Sequence, residues 1–206
     1  MTSTQIAAEL DTNPATAIPM PNSNPAHQRL VLTGFMGAGK TTIGRLLSDR
    51  LGWGFLDLDA HLEKRTGQTV PDIFAQHGED RFRRLESTAL ASALTHRSTV
   101  IALGGGTPER LTNRLLLEQT PATFVIFLDA PFTTLFDRCV LQQFGDPSHA
   151  RPVLADPEVA QARFAARHPL YVRLAGITID TAALTPEQTV DALLFSLNQS
   201  NKLVIT

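Results

Sequence analysis

The stretch "GFMGAGKTT" (34–42) sets Gly34, four residues, then Gly39, Lys40 and Thr41 directly after the apolar run "RLVLT" (29–33). GxxxxGK[ST] between a strand and a helix predicts a loop whose backbone N–H groups wrap phosphate oxygens. Gly37, Ala38, Gly39, Lys40, Thr41 and Thr42 are then the candidate nucleotide contacts. Lys40 would reach the outer phosphates and neutralise charge in a transition state. Thr41 would offer a hydroxyl to Mg²⁺, and the helix N-terminus beneath would add partial positive charge. The plainer alternative is a glycine-rich turn that only joins strand to helix.

Asp57 and Asp59 stand two apart at the end of the run "GFLDLD" (54–59). In a strand such residues share a face, so both can look into a crevice beside the loop. One could hold Mg²⁺ through water and accept a proton, while the other binds substrate hydroxyls. They could instead form a solvated strand end, with Asp59 capping the helix from 60. In "FRRLE" (82–86), Arg83 and Glu86 are three apart on a helix and can pair along it. That pair matters only if Arg83 or Arg84 faces the pocket; on a surface it is worth little. In "ALGGGTPE" (102–109), Gly104, Gly105 and Gly106 follow a strand. Three glycines cost chain entropy and make sense where something approaches the backbone closely; a plain helix-opening turn needs one. "ARPVL" (150–154) puts Arg151 on an irregular segment, where an arginine could close over a transferring phosphoryl group or simply face solvent. The six histidines show no ligand spacing, and Cys139 has no local partner.

These residues need a scaffold. Strands are predicted at 29–33, 54–59, 98–103, 122–130 and 176–180. Helices are predicted at 40–51, 60–65, 70–76, 79–95 and 108–118, from Pro131, at 158–173 and from Pro186. Pro71 suits a first helical turn. Residues 142–157 show no period and carry three prolines, so they read as a mobile loop. Alternating strands and helices with buried strands imply an α/β fold, a three-layer α/β/α sandwich on a five-stranded parallel sheet. Ligands then belong at the carboxyl ends of the strands.

The 206 residues suit one domain over 29–206, preceded by a disordered extension over 1–28. That extension has no apolar or basic targeting pattern. Eighteen basic against 20 acidic residues argue against a nucleic-acid binder driven by bulk charge. Only Lys40, Lys64 and Lys202 are lysines, which leaves 15 arginines among the 18 basic residues. Arginine suits bidentate grip on carboxylates and phosphates, although compositional bias gives the same excess. A single cysteine fits the cytoplasm, and no apolar run reaches membrane-spanning length, so no membrane partner is expected. A monomer is expected.

In combination, "GFMGAGKTTIGRLL", "FLDLDAHLE", "DIFAQHGEDRFRRLE", "GGG", "RPVL" and "RHPLY" resemble the shikimate kinases over about residues 30–180. The resemblance implies a P-loop kinase with a mobile lid. It would transfer a phosphoryl group from ATP, with Mg²⁺, to the 3-hydroxyl of shikimate, a step toward chorismate and the aromatic amino acids. By position, Lys40 matches the loop lysine, Thr41 the Mg²⁺-binding hydroxyl, and Asp57 the aspartate near Mg²⁺ and the reacting hydroxyl. Asp59 matches the aspartate on substrate hydroxyls, Arg83 and Arg167 the arginines on the carboxylate, and Glu86 the acid that orients Arg83. Gly104 to Gly106 match the turn lining that pocket, and Phe74 and Phe82 its apolar positions. Arg138 resembles the arginine packed on adenine, and Arg151 the lid arginine on the phosphates.

Two stretches depart from the family pattern. The segment between Arg138 and Arg151 is long and Gln-rich, and "DTAALTP" (180–186) lacks a basic residue. Two rivals stay open: another small-molecule P-loop kinase, such as gluconate kinase, and a non-catalytic sensor built on the same domain. A sensor fused to DNA-binding helices would need a longer, less polar N-terminus, and here Lys40, Asp57 and Arg151 are all present.

Overall fold

The computed structural model of the chain describes residues 27–145 and 156–203. Residues 1–26 of the expected extension, and Arg151 with most of the expected lid, lie outside the described residues. Five strands are present: β1 (Arg29–Thr33), β2 (Gly54–Asp57), β3 (Thr99–Ala102), β4 (Thr123–Asp129) and β5 (Ile177–Asp180). All pair in parallel in the order β2-β3-β1-β4-β5. The helices are α1 (Lys40–Leu51), α2 (Leu58–Thr66), α3 (Val70–Ala93), α4 (Leu111–Gln119), α5 (Phe132–Gly145), α6 (Pro157–Leu174) and α7 (Pro186–Leu203), with a 3₁₀ turn at Thr107–Glu109.

β1 is buried along its whole length, so its alternation serves two cores. Leu30 and Leu32 pack with Ile43 and Leu47 of α1, Leu135 of α5 and Leu193 of α7. Val31 packs on the opposite face with Leu62 of α2, Ile73 and Leu90 of α3 and Leu117 of α4. The central strand is thus sandwiched, as a three-layer fold requires.

Three elements differ from the sequence expectation. β2 stops at Asp57, because the Asp57 side chain accepts from the N–H groups of Asp59 and Ala60 and starts α2. Asp59 therefore sits in a first helical turn, not on a strand, and Asp57 rather than Asp59 is the cap. The two helices expected at 70–76 and 79–95 are present as the two arms of α3, divided at Gly78, whose φ of 73° breaks the α-helical path as expected. The helix expected at 108–118 is split into the 3₁₀ turn and α4. Residues 142–145, expected in the lid, continue α5, and Pro157 opens α6 behind the Asp156 cap. Gln28 and Arg29 both donate to the Ala122 carbonyl, which ties the start of β1 to the start of β4.

Candidate active site

β1 lies between β3 and β4, and its carboxyl end is the point where chain order reverses across the sheet. The phosphate loop leaves β1 there. Gly37 and Gly39 have φ of 78° and 82°, so the loop's N–H groups turn inward in a left-handed arc. A Cβ at Gly37 would collide with the Leu135 carbonyl of α5. Ala38 is buried, so only its backbone can serve a ligand. Gly39 caps α1 without any side-chain hydrogen bond, which leaves the first N–H groups of α1 for phosphate. Lys40 Nζ donates to the Gly34 and Phe35 carbonyls, each at 2.9 Å.

Thr41 Oγ1 donates to Asp57 Oδ2 at 2.9 Å. The two candidate Mg²⁺ residues therefore meet although they come from different elements. Their donors are hard oxygens, which fits Mg²⁺; that ion keeps water and substrate phosphates in most of its shell. Among the described residues, no group of three or more His, Cys, Asp or Glu could hold a metal. An ion here would rely on nucleotide phosphates for its remaining ligands.

The second half of the site starts beside Asp57. Asp57 of β2 pairs with Ala102 of β3, and Leu32 of β1 pairs with the same residue. The glycine turn after β3 thus emerges between Asp57 and the phosphate loop. A Cβ on Gly104 would sit 3.1 Å from both Asp59 Oδ1 and Glu86 Oε1, and one on Gly106 would sit 2.5 Å from both terminal nitrogens of Arg83. These two glycines are needed for close approach. Gly105 has room for a methyl group and is held otherwise, by the Tyr171 hydroxyl donating to its carbonyl at 2.6 Å.

Arg83 is only 13% exposed, whereas Arg84 is exposed to solvent. Arg83 therefore faces the pocket. Its Nη1 donates to Glu86 Oε2 at 3.0 Å, and Glu86, 1% exposed, also accepts from Thr107 Oγ1 at 2.6 Å. This is a buried, twice-anchored acid, not a surface ion pair. Arg83 also reaches Glu79 (3.1 Å) and Glu109 Oε2 (3.1 Å). Arg167 of α6 is buried and meets the same Glu109 carboxylate, with Nε to Oε1 at 2.9 Å. Two arginines from separate helices thus converge on one carboxylate, beside a cleft of ≈ 630 Å³ lined in part by His77, Glu79, Arg83 and Glu109.

A sequence model described as shikimate kinase matches residues 36–198. The chain belongs to the shikimate kinase family. It is 42% identical to a shikimate kinase of Symbiobacterium thermophilum over 173 residues, covering 82% of this chain and 96% of that protein. It is 40% identical to one of Thermobifida fusca over 169 residues, covering 79% of this chain and 91% of that protein. Among solved structures, shikimate kinase from Acinetobacter baumannii in complex with shikimate superposes with a TM-score of 0.74 at 34% identity, covering 87% of this chain and 97% of that one. A gluconokinase from Sinorhizobium meliloti shares the fold alone, with a TM-score of 0.54 at 16% identity.

Within this family fold, Asp59 has an unusual environment. It is half-buried, and among the described residues its carboxylate makes no hydrogen bond. Burial first, then the nearby Asp57 and Glu86 charges, push its pKa up to about 6, with Lys40 pulling the other way. Arg83 is the reverse case: burial alone would lower its pKa, but Glu86 and Glu109 outweigh that and raise it. Phe82 is buried under Arg83, with its ring 5.3 Å from the guanidinium carbon and 4.5 Å from the Phe74 ring.

Arg138 stands apart from the acceptor side. Its guanidinium donates to Thr181 Oγ1 (3.1 Å) and the Thr181 carbonyl (2.6 Å), which ties α5 to the segment after β5. Sequence reasoning missed Glu109, Thr107 and Tyr171. Glu109 and Thr107 lie in the quoted "GGGTPE", and Tyr171 ends "RHPLY", but nothing local marks an acid three residues past the turn as a partner of both arginines.

Proposed function

We infer that the chain transfers the γ-phosphoryl group of ATP to the 3-hydroxyl of shikimate, giving shikimate 3-phosphate and ADP. The observation that carries this reading is the convergence of Arg83 and Arg167 on a single carboxylate position, beside the glycine turn that borders the phosphate loop. That pair suits an acceptor with its own carboxylate. Asp59, half-buried and with no carboxylate hydrogen bond among the described residues, suits the acceptor's hydroxyls.

The roles follow from these positions. The loop from Gly37 to Thr42 would hold the triphosphate, with Lys40 moving from the Gly34 and Phe35 carbonyls onto the outer phosphates. Arg138, pinned by Thr181, would give adenine a flat surface. Asp57 keeps one oxygen on the start of α2 and has the other on Thr41, so its carboxylate is held rigidly. It would accept the proton of the attacking hydroxyl as the new O–P bond forms and the bond to the β–γ bridging oxygen breaks. Thr41 and Asp57 would hold Mg²⁺, which would supply positive charge to offset that of the phosphates. Arg151, by resemblance, would close over the phosphates and exclude water.

The test is ADP release with shikimate, gluconate and nucleoside monophosphates as acceptors, with Mg²⁺ varied. Turnover confined to shikimate supports the reading. Robust turnover only with gluconate or a nucleotide overturns it in favour of another small-molecule kinase. ATP and shikimate binding without turnover would point to the sensor instead.

A further inference from the structure

Glu109 has no counterpart among the roles just described, yet it holds the centre of the carboxylate pocket. Its Oε1 accepts from Arg167 Nε at 2.9 Å, and its Oε2 accepts from Arg167 Nη2 at 3.3 Å and from Arg83 Nη2 at 3.1 Å. One carboxylate thus bridges the two arginines in the geometry a ligand carboxylate would use. The three glutamates on this arginine pair differ in how firmly they are held. Glu86 is 1% exposed and anchored by Thr107. Glu79 is 61% exposed and pairs with Arg83. Glu109 is 37% exposed, borders the cleft and alone spans both arginines. It also lies on the 3₁₀ turn directly after the glycines, where a side-chain rotation would free it without moving a helix.

We propose that Glu109 is an internal stand-in for the acceptor's carboxylate, so that acceptor binding is an exchange of one carboxylate for another. This rests on the proposed function only in taking the acceptor to carry a carboxylate. The physical reason for such a device is charge. Arg83 and Arg167 are 13% and 9% exposed, and two guanidinium groups held that far from water need a counter-charge whether or not a ligand is present. Glu86 and Glu79 supply part of it to Arg83; Glu109 supplies the share that faces both arginines in the free protein and turns to solvent when the ligand supplies its own. The cost is affinity, because each binding event breaks the Glu109 pairs first. A neutral acceptor brings the arginines nothing in exchange.

Glu109→Gln removes the charge and keeps an oxygen that can hold Arg167 in place. Shikimate should bind this variant roughly 5- to 30-fold more tightly by calorimetry without nucleotide, about 1–2 kcal/mol at 1.4 kcal/mol per tenfold. In turnover the gain should appear in KM and leave kcat within about threefold, since ground and transition states lose the same competitor. If Glu109 instead positions the two arginines, shikimate binding weakens in Glu109→Gln, and that sign overturns the proposal, as does no change. Cyclohex-1-ene-1-carboxylate, the ring acid without hydroxyls, separates the two readings. A gain for this probe with no shikimate turnover by the parent sinks the proposed function and keeps the exchange. Normal shikimate turnover with no gain for either ligand does the reverse. Should Glu109→Gln fail to fold, a crystal structure of the parent with shikimate decides. Glu109 turned away from Arg167 supports the exchange; Glu109 still bridging both arginines refutes it.

Discussion

Replacing Asp59 by asparagine should make the protein more stable and a poorer enzyme, and the size of both effects depends on pH. The carboxyl is raised from 3.8 to about 6, chiefly by burial and then by the Asp57 and Glu86 charges. A raised folded-state value means the folded chain binds this proton more tightly than the unfolded chain. The stabilisation from that proton is complete below about pH 3.8 and is lost as pH rises through about 6. A shift of about two units is worth at most about 3 kcal/mol at 1.36 kcal/mol per unit. Asp59 is half-buried, so solvent screening sets the expected effect between about 1 kcal/mol and that ceiling of about 3 kcal/mol. Asparagine has nearly the same shape and cannot ionise, and among the described residues the Asp59 carboxylate has no hydrogen bond to give up. Urea unfolding of parent and Asp59→Asn between pH 4 and pH 8 measures the difference directly. The variant's advantage should grow by about 1–3 kcal/mol across that window. The same ionisation should appear in catalysis. For the parent, kcat/KM for shikimate should fall on the acid side of about pH 6. Asp59→Asn should lose that limb and roughly 10- to 150-fold of its kcat/KM, the worth of a hydrogen bond to a charged acceptor. A stability difference that is flat with pH, or that favours the parent at pH 8, refutes the assignment of a raised Asp59 and with it the view of an unpartnered carboxylate awaiting hydroxyls.

Arg83→Lys keeps the charge and loses the fork that reaches Glu86, Glu79 and Glu109; shikimate binding should weaken by about 1–3 kcal/mol with ATP affinity spared, and an unchanged shikimate KM would count against its role. Gly106→Ala puts a methyl group 2.5 Å from both Arg83 terminal nitrogens. The guanidinium must yield, so shikimate KM should rise about tenfold while unfolding free energy changes by under about 1 kcal/mol; a large stability loss with normal KM would mean that the backbone yields instead. Thr41→Ala removes the hydroxyl beside Asp57. The Mg²⁺ concentration for half-maximal rate should rise by about tenfold, and an unaltered Mg²⁺ titration would place the metal elsewhere.

The strand and helix succession was legible because buried parallel strands are short apolar runs and the helices between them carry a different period. Boundaries failed where a side chain overrode the pattern. "GFLDLD" alternates like a strand to its end, but Asp57 accepting two backbone N–H groups turns the chain into α2 two residues early. "QQFG" looked irregular by composition, yet α5 carries through it. Asp59 kept its place in the pocket despite the wrong element, because a first-turn residue next to a strand end still faces the crevice. The choice between Arg83 and Arg84 lay beyond the sequence, since adjacent helical residues differ by about 100° in direction and only packing says which one looks inward. Arg151 and the span around it lie outside the described residues, so the lid remains a reading of "RPVL".

The phosphate loop was determined by sequence alone, because it is a local object. Gly37, Gly39, Lys40 and Thr41 are contiguous, and a loop between a strand and a helix needs only chain order to aim its N–H groups at one anion. The acceptor side is not local. Asp59, Arg83, the glycines at 104–106, Glu109 and Arg167 come from α2, α3, two turns and α6, and family resemblance could name most of them without saying how they meet. Only the sheet order, with β3 next to β1, brings the glycine turn beside the loop. Only the packing of α6 over that turn sets Arg167 against Glu109. That contact joins residues 58 positions apart, and no periodicity or spacing encodes it; it depends on α6 packing over the 3₁₀ turn, which brings Arg167 to the carboxylate that Arg83 also reaches.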